Sequence, residues 1–107
     1  MKTHNLKIWP QYFEAVDSGT KTFEVRENDR DFKTGDTVVL EEYIPGYDSS
    51  LQMDFGKYTG RKLTFDIGYL YKMFDSNTVV FSLISPTRGL RVSFDRDALP
   101  VSNGDEC

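Results

Sequence analysis

The sequence predicts a mostly β domain, a small pseudo-barrel of five to six strands with one short helix near the N-terminus. Three observations carry this. Val, Ile, Phe, Tyr, Trp and Thr supply 36 of 107 residues, and β-branched and aromatic side chains fit pleated surfaces. Alanine occurs only twice, which leaves little material for long helices. From Arg61 to Phe74, Leu63, Phe65, Ile67, Tyr69, Tyr71 and Met73 alternate with mostly polar neighbours, a period-two pattern longer than an ordinary strand. The alternative architecture is an α+β roll with the helix across an antiparallel sheet.

The elements follow in order. His4 to Trp9 reads as a short strand with Leu6 and Ile8 on one face. Pro10 suits the first position of a helix, where its missing N–H costs nothing. Gln11 to Ser18 carries Tyr12, Phe13 and Val16 at helical spacing, and Gly19 stands where a C-terminal cap belongs. Thr20 to Arg26 is a second strand, with Phe23 and Val25 on one face and Thr22, Glu24 and Arg26 on the other. Glu27 to Gly35 is dense in charges and turn formers and reads as a structured loop with Phe32 as a core plug. Asp36 to Ile44 is a third strand, ended by Pro45-Gly46. Tyr47 to Gly60 reads as a long loop or ragged hairpin. The long strand follows, its whole aromatic stripe assigned to the core, and Gly68 at its middle marks a bend or bulge. Thr78 to Ile84, apolar on both faces, suits a strand inside a closed sheet. Leu90, Val92 and Phe94 alternate as a candidate edge strand, and Asp95 to Cys107 is a polar tail. Residues 1–84 thus form the domain and 85–107 an extension.

Composition narrows the function classes. The single cysteine excludes an internal disulfide framework and a cysteine-cluster metal site. No apolar run approaches the length of a membrane helix, and the first residues lack the apolar stretch of a signal peptide. The expectation is a soluble, cytoplasmic protein with no membrane partner and no cofactor. The net charge of −4 argues against gripping long DNA or RNA by bulk charge. That charge is uneven. Residues 1–33 hold six basic and six acidic groups, so the surplus acids all lie in residues 34–107.

The densest chemistry sits in the balanced third. Lys21, Glu24 and Arg26 fall within six residues, and Arg26 offers planar bidentate bonds to a carboxylate or phosphate. Either these side chains form a ligand site, or they are a solvated strand face with one ion pair. Asn28 and Arg30 either read a base or phosphate at the barrel mouth or order the loop through Asx-turn and ion-pair contacts. Trp9 either stacks on a base or packs under the helix. His4, the only histidine, has no neighbouring cluster that would make a zinc site.

Several motifs occur together and in order: His4-x-Leu6-Lys7-Ile8, Pro10-x-Tyr12-Phe13, Ser18-Gly19-x-Lys21-Thr22-Phe23-Glu24-Val25-Arg26, Asn28-Asp29-Arg30-Asp31-Phe32 and Gly35-Asp36. Tyr58-Thr59-Gly60-Arg61 and Val79-Val80-Phe81-Ser82-Leu83-Ile84 follow. In these the chain resembles the DUF3850 family, and through it the ASCH group of the PUA-like superfamily, over residues 4–84. The resemblance implies a PUA-like pseudo-barrel and an RNA-binding role, with Gly19, Lys21, Glu24 and Arg26 lining a cleft. Some small ASCH proteins hydrolyse the amide of N4-acetylcytidine, using a lysine, a threonine three residues later and a downstream glutamate. Lys21 matches the lysine, but Glu24 stands where that pattern has threonine, and no downstream glutamate is an obvious match.

Three functions are therefore expected in turn. The first is a module binding short RNA or a nucleotide-like ligand through Lys21, Glu24, Arg26, Asn28, Arg30 and Trp9. The second is an amidohydrolase on an acylated nucleoside, with Lys21 as base or nucleophile and Glu24 as proton shuttle. The third is a protein-interaction module exposing Tyr43, Tyr47 and Tyr58.

Overall fold

A computed structural model describes residues 1–74 and 76–86. The candidate strand at Leu90–Phe94 and the tail from Asp95 lie outside the described residues, as does all of the 85–107 extension after Pro86.

Strand β1 (Thr3–Ile8) alternates cleanly, burying His4, Leu6 and Ile8. Helix α1 (Pro10–Asp17) starts with proline at its first turn and buries Phe13 and Val16, the two apolar residues a helix this short needs for anchorage. Gly19, at φ +82°, turns the chain out of the helix, and the Gly19 and Lys21 N–H groups bond back to the Val16 and Ala15 carbonyls. Strand β2 (Phe23–Glu27) follows, then β3 (Thr37–Ile44), a two-residue hairpin of β4 (Tyr47–Asp48) and β5 (Met53–Asp54), the long β6 (Lys57–Lys72) and β7 (Thr78–Ile84).

The five main strands form one mixed sheet in the order β1-β3-β6-β7-β2. Only β1 and β3 run parallel. The sheet curls as a half-barrel around a core that includes Leu6, Phe13, Phe32, Val38, Leu40, Ile67 and Phe81. Phe32 is the expected plug, its ring 5.2 Å from that of Phe81. Asn28 orders the loop carrying it by accepting the Phe32 N–H at 3.0 Å. No helix among the described residues is long and apolar enough to cross a membrane.

Four expectations need correction. First, the barrel is open along one side, with β1 and β2 as its two edges, and β7 lies inside the sheet but is not buried on both faces, since Val80 and Ser82 are only half-buried. Second, β2 begins at Phe23, not Thr20, and although Phe23 and Val25 do share one face and Glu24 and Arg26 the other, the face that carries Glu24 is not a solvated one. Phe23 and Val25 are 44% and 52% exposed, whereas Glu24 is only 4% exposed and points inward. Third, the stripe of β6 is core only in its first half. The β6–β7 register shifts between Ile67 and Leu70, so Ile67 and Gly68 are buried in succession and the inward parity changes. Leu70 then faces the core, and Tyr69 and Tyr71 stand 75% and 51% exposed. A Cβ at Gly68 would have to displace the Ile84 and Ser82 side chains, which fill that space. Fourth, Tyr43 is buried, its hydroxyl donating to Asp54 Oδ2 at 2.9 Å.

Candidate functional site at the open seam

The half-barrel's two free edges face each other, and side chains close the seam between them. Flanking β2, the Thr22 carbonyl accepts the Leu83 N–H of β7, and the Asn28 N–H donates to the Asn77 carbonyl just before β7. Alternation therefore turns the Phe23 and Val25 backbone groups toward the open edge. The Phe23 carbonyl there accepts from Lys21 Nζ at 2.8 Å. Across the seam, the Lys7 carbonyl of β1 accepts from an Arg26 terminal nitrogen at 2.9 Å, and the Asn5 carbonyl from an Arg30 terminal nitrogen at 2.7 Å. Cationic side chains thus stand where a sixth strand would supply N–H donors, which also protects both edges from pairing with other chains.

At one end of the seam lies a cleft of ≈ 450 Å³. Lys7 and Ile8 of β1 line it, with Trp9 and Tyr12 at the start of α1, Lys21 after the helix, and Glu24, Val25 and Arg26 of β2. The alternation of β2 turns Glu24 inward among these residues. Its Oε2 accepts from Lys21 Nζ at 2.6 Å and its Oε1 from Arg26 Nε at 2.9 Å. A carboxylate so buried needs paired and hydrogen-bonded partners, and it has one on each oxygen. Trp9 and Tyr12 are half-exposed and stack on each other, 6.3 Å between centroids at 24°. The cleft therefore combines three cations, one carboxylate and an accessible aromatic pair.

Of the residues singled out in the sequence, Lys21, Glu24, Arg26 and Trp9 converge on this cleft. Trp9 lies beside the helix start, not under it. Asn28 and Arg30 are not among the lining residues: Asn28 caps the Phe32 N–H, and Arg30 holds the seam at Asn5. Lys7, Ile8, Tyr12 and Val25 join the site without having been singled out. Of these Lys7, Tyr12 and Val25 are exposed and Ile8 is buried, and no local pattern marks them as a group.

Three other polar clusters hold the scaffold. Arg61 bonds buried Glu42 through Nε at 2.9 Å, bonds Glu14 of α1, and lies over the Phe13 ring at 4.5 Å, clipping the helix to the sheet. Glu42 and then Glu14 raise the guanidinium's affinity for its proton, while Arg61 and then Thr59 hold the Glu42 carboxyl below its usual range. Asp54 is also held low, by the Gly46 and Gly56 N–H groups and Tyr43, and it locks the β4–β5 hairpin. Asp36 Oδ2 lies 2.9 Å from His4 Nε2. Burial alone would raise this carboxyl, but hydrogen bonds from His4 and from the Lys2 and Lys33 N–H groups outweigh it and leave it lowered. Among the described residues, no group of three or more His, Cys, Asp or Glu side chains is placed to hold a metal ion.

The model of a domain of unknown function, DUF3850, matches residues 3–83. The chain belongs to the DUF3850 family. It is also similar, at 36% identity over 62 residues, to an uncharacterized 12.9 kDa protein in the GpA 3' region of Escherichia phage P2. That match covers 58% of the chain and 48% of the phage protein, so the chain spans about half the length of this curated relative. The DUF3850 match covers every strand of the half-barrel to within one residue of the end of β7, and the whole cleft lies within it.

Proposed function

We propose that the seam cleft binds short single-stranded RNA or a nucleotide-sized ligand, and that the half-barrel is a PUA-like module of the ASCH type. One observation carries the reading: Lys21, Glu24 and Arg26 share a single concave cleft with the accessible Trp9–Tyr12 pair. Aromatic faces stack bases regardless of sequence, and cations at the rim meet phosphate. Lys7 and Lys21 face the phosphate, Trp9 stacks the base, and Glu24 accepts from a base edge. The acidic remainder of the chain limits contact to a few nucleotides.

Titrating Trp9 fluorescence with short single-stranded and hairpin RNAs tests this. Affinity for the single strands falls with salt at a log–log slope of about −0.7 to −1.4, as one or two phosphate contacts require. No binding at low salt, or binding unchanged in the Lys21→Ala, Arg26→Ala double variant, sinks the reading.

A second reading rests on the β4–β5 arm, where Tyr47, Leu51, Met53, Phe55 and Tyr58 are all exposed around a hairpin locked by Asp54. Such a patch suits a protein partner. Partners that persist in pull-downs after nuclease treatment, and are lost in Tyr47→Ser plus Phe55→Ser, would support it.

A further inference from the structure

We propose that the cleft selects guanine, with the Glu24 carboxylate accepting the ring N1–H and the 2-amino group of one base stacked on Trp9. This rests on the reading of the cleft as a nucleotide site and names the base it takes.

Glu24 is oriented before any ligand arrives. Lys21 Nζ fixes Oε2 and Arg26 Nε fixes Oε1, at 2.6 and 2.9 Å. A carboxylate offers about four acceptor positions and no donor, so each oxygen keeps one acceptor direction. The resulting pair of acceptors matches two parallel N–H donors in a plane. Guanine alone among the four RNA bases carries two adjacent donors on its Watson–Crick edge. Adenine and cytosine place one amino group beside a bare ring nitrogen, and uracil places one N–H between two carbonyl oxygens. Each of those sets a lone pair against a carboxylate oxygen, at a contact from which the bound base itself displaces water. Stacking on Trp9 and Tyr12 accepts any base, so the choice falls to Glu24. The cleft volume of ≈ 450 Å³ lies in the range of small-ligand sites and suits one nucleotide.

The test uses the full chain and Trp9, its only tryptophan, as reporter. Fluorescence is titrated with GMP, IMP, AMP, CMP and UMP. GMP binds about tenfold or more tighter than AMP, CMP and UMP, the discrimination a good bidentate pair provides. IMP, which keeps N1–H and lacks the 2-amino group, falls between. Glu24→Gln presents one acceptor and one donor, and moves the preference from GMP toward AMP. Lys7→Ala weakens all five by a similar factor and keeps their order. Five equal affinities, or a GMP preference unchanged in Glu24→Gln, overturn the proposal while leaving the nucleotide reading standing. Failure of every nucleotide to bind overturns both. If Glu24→Gln does not fold by circular dichroism, the GMP-to-IMP ratio of the unmodified chain decides alone, and a ratio of one overturns the proposal.

Discussion

Arg26 is the residue on which both the seam and the site depend, so Arg26→Ala is the most informative single change. The substitution removes a charge-assisted bond to Glu24 at 2.9 Å and a bond to the Lys7 carbonyl at 2.9 Å. Removing one partner of a fully buried ion pair costs ~3–5 kcal/mol, and a single hydrogen bond to a charged group ~1.5–3 kcal/mol. Glu24 retains Lys21 at 2.6 Å, and the Arg26 side chain is 24% exposed, so solvent relieves part of the loss. The expected cost is about 2–3 kcal/mol. Glu24→Ala leaves Lys21 and Arg26 without their shared acceptor, but both reach water, and its cost is about 1–2 kcal/mol. The double variant should fall short of the sum by about 1–2 kcal/mol, the coupling of groups in one network. Arg26→Lys should recover little, because an ammonium lacks the planar fork that spans Glu24 and the Lys7 carbonyl together. Urea unfolding followed by circular dichroism reads the four variants against the unmodified chain. A cost below about 0.5 kcal/mol for Arg26→Ala, or an additive cycle, would refute the claim that Arg26 closes the seam.

Two further predictions concern the scaffold. The Asp36 carboxyl lies below its unfolded value of about 3.9, so its stabilising contribution is present above pH ~4 and lost as pH falls through the lower folded value. Asp36→Asn should therefore lower stability at pH 7 and flatten its decline below pH ~4, and an unchanged pH slope in acid unfolding would contradict this. In Gly56→Ala the new methyl meets the Ile44 carbonyl oxygen and, at 2.8 Å, Tyr43 Cζ, and backbone does not yield cheaply. The Tyr43–Asp54 bond should break, and amide exchange at Gly46 and Phe55 should accelerate at least tenfold. Unaltered protection at these amides would show that Asp54 does not lock the hairpin.

The fold class was legible because strand alternation and turn chemistry are local signals. Gly19 as the helix stop, Pro10 as its start and Phe32 as a plug all follow from such signals. What escaped the sequence depends on register. A single bulge at Gly68 exchanges the faces of β6, so Tyr69 and Tyr71 fit the alternating pattern yet face solvent. On β2 the apolar residues Phe23 and Val25 would ordinarily define the core face. The pairing instead turns Glu24 inward, where Lys21 and Arg26 compensate its charge. That local conflict between pattern and fold is the strongest pointer to the site, since sequences depart from their own patterning where function requires it. Lys21, Glu24 and Arg26 were visible as a group because they are neighbours in sequence. The Arg61–Glu14 contact spans 47 positions, and no local pattern announces it.

The central claim is that the cleft between β1, α1 and β2 is where ligand binds. Amide chemical-shift mapping of the full chain with a short guanine-containing single-stranded RNA tests it most directly. The perturbed amides should cluster at Lys7–Tyr12 and Lys21–Arg26, with the Trp9 indole N–H among the largest shifts. Perturbations centred on Tyr69 and Tyr71 of the outer face, or on the Tyr47–Phe55 arm, with the cleft silent, would contradict it.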